Sequence, residues 1–145
     1  MYDFIIIGSG IVGTTIAREL SKYKLNLLVL EKESDVANDQ TTANSAIIHS
    51  GHDPEEGTLK AILCVRGNKL YEEMEKELDI PLLYTGALVV AHDAEEEKQL
   101  EILFNRAQIN GVPSVSFLDK EEILKQEPNL SKEISKALSL PTTKV

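Results

Sequence analysis

The chain has no tryptophan and a single cysteine, Cys64, in 145 residues. An internal disulfide framework is therefore excluded, and the composition suits a reducing compartment, so a cytoplasmic location is expected. No apolar run approaches the ~20 residues that a membrane-spanning helix needs. The apolar N-terminus lacks the basic leader and small-residue cleavage site of a signal peptide. Three histidines and one cysteine fall at no metal-ligand spacing, and no metal is expected. Positive charge is also scarce, with 15 Lys and Arg against 24 Asp and Glu. The resulting net charge of −9 argues against a nucleic-acid partner. Any phosphate must then be held by backbone amides and hydroxyls rather than by a positive field.

What is present begins at the first strand. Phe4 to Ile7 reads as a buried apolar strand entering Gly8-Ser9-Gly10-Ile11-Val12-Gly13, then an amphipathic helix, then a second apolar strand ending at Glu31. A dinucleotide-binding βαβ unit requires that order. Gly8 allows the tight turn, Gly10 admits a pyrophosphate, and Gly13 lets helix and sheet approach. The amides that open the helix lie at the positive end of its dipole. Glu31 can accept from both hydroxyls of an adenosine ribose, and its charge disfavours a 2′-phosphate.

Periodicity predicts a helix over 11–22 with Ile11, Val12, Thr15, Ile16 and Leu20 facing inward. It predicts a parallel strand over 25–30 covered on both faces. Residues 32–45 form a polar, turn-rich stretch that can turn into a short helix. Thr58 caps a long helix over 59–78, with Gly67 and Asn68 allowing a kink or a split. A strand over 82–91 carries Gly86 as a bulge. A helix capped by Asp93 runs to Asn110 and stops at Gly111, followed by a short strand over 115–118. A brief helix capped by Asp119 and a strand over 136–140 follow. The acids of 72–77 and 95–97 read as solvated helix faces. The expected class is α/β, and the stop soon after a strand leads us to expect part of a larger protein.

A second group of motifs narrows the cofactor. Asp3 to Gly13, Glu31-Lys32, Asp35-Val36-Ala37, Thr42-Ala43-Asn44-Ser45 and Ile48-His49-Ser50-Gly51 stand in order. Gly57 to Ala61, Leu63 to Asn68, Gly86 to Ala91, and Lys136-Ala137-Leu138 with Pro141-Thr142 follow. Together they resemble the FAD-dependent oxidoreductases of the D-amino-acid-oxidase type. They are most similar to the branch of anaerobic glycerol-3-phosphate dehydrogenases and L-2-hydroxyglutarate dehydrogenases or oxidases.

That resemblance implies FAD and two lobes: a Rossmann-like FAD-binding lobe over 1–80 and the start of a mixed or antiparallel substrate lobe over 81–145. Gly8, Ser9, Gly10 and Gly13 would hold the pyrophosphate, with Glu31 on the ribose and Lys32 beside the adenine. Thr41, Thr42, Asn44 and Ser45 would meet the phosphates and ribityl chain. Ser50 and Gly51 would lie along the flavin ring, and His49 would orient or deprotonate a substrate hydroxyl; a structural His49 stays open at this point. His52 departs from the aromatic residue usual at its place. Lys60 and Arg66 read as solvated cations, and Cys64 as a small core residue.

The implied activity is a dehydrogenase of a small hydroxylated anion, glycerol 3-phosphate first and L-2-hydroxyglutarate second. An inactive remnant and an NAD-binding module stay open. The expected partners are an anionic small molecule and either the remainder of the polypeptide or a second copy covering the open sheet. For the full enzyme, peripheral placement at the inner membrane face stays open.

Overall fold

A computed structural model describes residues 1–145, which pack as two units, Met1–Ser45 and Ala46–Val145. In the first, β1 (Phe4–Ile7) runs parallel to β2 (Leu27–Leu30), with α1 (Ile11–Leu20) as the crossover. Register runs from Phe4 opposite Leu27 to Ile7 opposite Leu30. Asp3 Oδ2 accepts from the Asn26 amide at 2.8 Å and closes the open end of the pair.

The expected burial of this unit is corrected. Ile5, Ile7, Val12 and Ile16 are exposed, and no apolar residue of the unit reaches the core class. Two strands and one helix form two thin layers, and one helix stripe cannot cover both faces of a sheet. The polar stretch after Glu31 also forms turns without the expected short helix.

The second unit contains α2 (Leu59–Leu78), β3 (Leu88–Ala91), α3 (Ala94–Asn110), β4 (Ser116–Asp119), α4 (Lys120–Gln126) and β5 (Lys136–Ser139). Its three strands are antiparallel in the order β3-β5-β4. Side chains alternate across a strand, and central β5 shows the result. Leu138 joins the larger core with Leu100, Ala107 and Leu140, while Ala137 joins Ile123 and Ile134 in a second cluster.

Thr58, Asp93 and Asp119 cap the three helices as predicted. Asp119 both ends β4 and forms a reciprocal capping box with Glu122, so strand and helix join without a loop. Gly111 closes α3 at φ 78°.

Two expectations for this unit change. Helix α2 runs unbroken through Gly67 and Asn68 to Asp79, a left-handed C-cap. The strand expected over 82–91 is regular only from Leu88, because Gly86 adopts φ +66° and turns the chain. Residues before the turn pair instead with the C-terminal segment, through Leu83 with Val145 and Gly86 with Thr143. By packing, the chain divides after Ser45. Asn68 of α2 donates to Thr142 O, and Asn110 of α3 donates to Gly51 O, which binds these elements into one body. A lobe boundary at residue 80 is one of cofactor function and is a separate matter from packing.

Leu138→Ala should cost about 2–5 kcal/mol, because the side chain is wholly buried at the sheet centre. Phe4→Ala, at a 47% exposed position of β1, should cost well under that. Urea denaturation of both variants checks the contrast.

Candidate cofactor and catalytic site

The glycine turn of the first unit is held by an acid. Glu31 Oε2 accepts from the Ser9 amide at 2.7 Å and from Ser9 Oγ at 2.8 Å. Glu31 Oε1 accepts from the amides of Lys32 at 2.8 Å and Glu33 at 3.1 Å. A carboxylate offers about four lone-pair positions, and four donors meet them. The backbone donation from Ser9 dominates and holds the Glu31 carboxyl down to about 2.

Gly8 sits at φ +97°, and its amide donates to Leu30 O at 2.7 Å. A Cβ on Gly13 would stand 1.9 Å from Gly8 O, so only glycine fits there. Four amides at a helix start lack intrahelical partners. Here Ile11 N–H donates to Thr41 Oγ1 at 3.0 Å, which leaves the amides of Gly10, Val12 and Gly13. A cavity of ≈370 Å³ opens over the turn, lined among others by Gly8, Gly10, Glu31, Lys32 and Thr41.

The other residues predicted on this unit lie elsewhere in the loop. Thr42 Oγ1 donates to Asp39 O and Asn44 Nδ2 to Thr41 O, so both brace the loop. Ser45 is exposed. Lys32 pairs with Glu33 and Asp39 in solvent, where such pairs contribute little.

In the second unit His49 is exposed, whereas Ser50 and Gly51 are buried. His49, Gly51, His52, Asp53, Lys60 and Cys64 line a cavity of ≈280 Å³. Ser50 Oγ lies 3.1 Å from His52 Nδ1. Burial lowers the His52 imidazole from its ordinary value. Burial also raises the Cys64 thiol, whose Sγ lies 3.7 Å from His49 O.

The loop carrying His49 is held by side chains to which the sequence analysis gave no such part. Asn68 Nδ2 reaches His49 O at 3.1 Å and Thr142 O at 2.8 Å. Asn110 Nδ2 reaches Gly51 O at 3.0 Å and Pro54 O at 2.9 Å. One signal for Asn68 existed: a poor helix former in mid-helix, read as a weak point. Lys144, unmarked, is fully buried against Asn68 and Glu72.

Residues 3–145 match the family model described as FAD dependent oxidoreductase, DAO. The chain is 48% identical over 142 residues to a glycerol 3-phosphate dehydrogenase of Caloramator mitchellensis, covering 98% of this chain and 30% of that protein. It is 40% identical over 146 residues to a mitochondrial L-2-hydroxyglutarate dehydrogenase of Dictyostelium discoideum, covering 99% of this chain and 32% of that one. Among solved structures, an FAD-bound L-alpha-glycerophosphate oxidase of Mycoplasma pneumoniae superposes with a TM-score of 0.91 at 34% identity. That match covers 99% of this chain and 38% of the oxidase. The chain thus spans about a third of the length of these relatives.

Ionised Glu31 stabilises the first unit above its ordinary titration range, and that stability is lost as pH falls from about 4.5 toward about 2. Glu31→Gln should remove this acid dependence and lower stability at neutral pH. Amide exchange at Ser9, followed from neutral to acid pH in both proteins, checks it.

Proposed function

Because the chain belongs to the family of FAD dependent oxidoreductases, we propose that it is the cofactor-holding part of a flavin-dependent dehydrogenase or oxidase acting on a small hydroxylated anion. The observation that carries this reading is the joined Ser9–Glu31 turn beneath an open cavity. Its donor set fits the adenosine diphosphate half of FAD. A helix start can hold a phosphate by its amides without a lysine cluster, Gly10 lines the cavity, and the Gly10 position is bare where a Cβ would stand 2.9 Å from Thr41 Oγ1.

In this reading Gly10 meets the pyrophosphate through its backbone, Gly13 lets the helix close on the turn, and Gly8 and Ser9, whose amides already donate to Leu30 O and Glu31 Oε2, shape that turn. Glu31 orients the ribose and excludes a 2′-phosphate. Thr41 shapes the cradle, while Thr42 and Asn44 brace the loop that carries it. Lys32 stands at the rim on the adenine side. Ser50 and Gly51, buried in the second unit, are proposed for the ring of the cofactor on the family membership.

Bound FAD would supply a two-electron acceptor for the substrate carbon. His49 would take the hydroxyl proton at its imidazole as the carbon–hydrogen bond yields its electron pair and the carbonyl forms. Lys60 places a cation on the same cavity as His49, which suits an anionic substrate.

Glycerol 3-phosphate is the first choice, because the relative at 48% identity is a glycerol 3-phosphate dehydrogenase and the FAD-bound structure is an L-alpha-glycerophosphate oxidase. L-2-hydroxyglutarate is the second choice, on the relative at 40%. A cytoplasmic setting is part of the proposal and rests on the lone Cys64. No helix of the chain is long and apolar enough to cross a membrane.

Two measurements test this. The chain should bind FAD with quenching of flavin fluorescence, and Gly13→Ala should abolish that binding; a chain that stays colourless with FAD in excess defeats the reading. In the natural flavoprotein that carries this chain, glycerol 3-phosphate should bleach the oxidised flavin band under anaerobic conditions. His49→Asn should slow that reduction by about 10²–10⁴-fold. Bleaching by L-2-hydroxyglutarate alone would move the substrate to the second choice.

A further inference from the structure

Asn68 is 7% exposed in the middle of α2, a position where asparagine is a poor helix former. Its side chain works outside the helix. Nδ2 lies 3.1 Å from His49 O, 3.4 Å from Ile48 O and 2.8 Å from Thr142 O. Oδ1 accepts from Lys144 Nζ at 2.9 Å. The same ammonium reaches Asn68 O at 3.1 Å and Glu72 Oε1 at 2.9 Å, so its three hydrogens meet three acceptors.

These contacts permit one amide orientation. An ammonium can only donate and a carbonyl can only accept. Turning the Asn68 amide over would set NH₂ against the Lys144 cation and oxygen against three carbonyl oxygens, all within a buried site. Lys144 is itself held by a backbone bridge to Ile48, with N–O distances of 2.9 and 3.2 Å. The network therefore closes on the residue immediately before His49.

We propose that Asn68 is a positioning residue for His49: Lys144 locks its amide in one orientation, and the locked Nδ2 fixes the backbone that presents the imidazole. The purpose assigned to His49 rests on the flavoenzyme reading, but the test needs neither flavin nor substrate.

The experiment compares Asn68→Asp, Asn68→Gln, Lys144→Met and the double variant Asn68→Asp/Lys144→Met by NMR of the 145-residue chain. Asn68→Asp keeps an acceptor for Lys144 and loses the donor to His49 O. The expected result is a shifted His49 ring signal and about tenfold or greater acceleration of amide exchange at Ile48 and Lys144. The ring signal of His92 and the exchange of α3 amides should stay within about twofold. Asn68→Gln, which keeps an amide, should return the His49 signal part of the way. Lys144→Met should move that signal in the same direction as Asn68→Asp, and the double variant should move it no further.

An unmoved His49 signal in folded Asn68→Asp would overturn the proposal. So would equal shifts at His49 and His92, which mark general destabilisation, or additive shifts in the double variant. If Asn68→Asp does not fold, Lys144→Met and Asn68→Gln decide by the same His49 and His92 comparison. Failure of the chain to bind FAD would defeat the flavin reading without altering any of these outcomes.

Discussion

A buried ammonium has to find three acceptors, and the second unit is arranged around that requirement at Lys144. Removing a cation from water is costly unless its hydrogens are all met. Asn68 meets two of them and Glu72 the third, from one turn of one helix. Donation from Lys144 in turn holds the Glu72 carboxyl below its usual range. The arrangement draws residues 48, 68–72 and 142–144 to one point. It gives the loop after Ile48 a rigid base, although that loop has no regular secondary structure of its own.

The first unit obtains order by a different route. Its strands and helix leave large apolar side chains exposed, and hydrophobic burial contributes little within it. The shape of its glycine turn depends instead on a carboxylate that gathers backbone donors from both ends of the βαβ segment. Ser9, the one residue of the unit in the buried class, is the residue that Glu31 grips. The two units thus solve the same problem, fixing an irregular loop, with charges of opposite sign.

Local features were the legible ones. Glycine spacing marked the turn, helical periodicity marked α2 and α3, and polar residues at helix starts marked three caps; each depends on neighbours within a few residues. What failed depends on distance. Apolarity in β1 and α1 reports a surface that can be covered and says nothing about what covers it. Leu82 to Ala91 has strand composition throughout, but the positive φ of Gly86 divides it. Asn68 and Lys144 lie 76 residues apart, beyond the reach of any periodicity, so asparagine in mid-helix looked like a defect. Within the candidate cofactor site, Gly8, Ser9, Gly10, Gly13, Glu31 and Thr41 converge in space, while Thr42 and Asn44 serve the loop itself.

The saturation of Glu31 has an energetic corollary for any hydroxyl that comes to it from solvent. With four donors already on its two oxygens, the carboxylate has no vacant direction, so an arriving hydroxyl must trade places with a resident donor. Such an exchange is close to enthalpically neutral. An acid held this way is a template more than a source of attraction: it selects a guest by the match of two oxygens to its geometry, and the free energy of capture has to come from other groups.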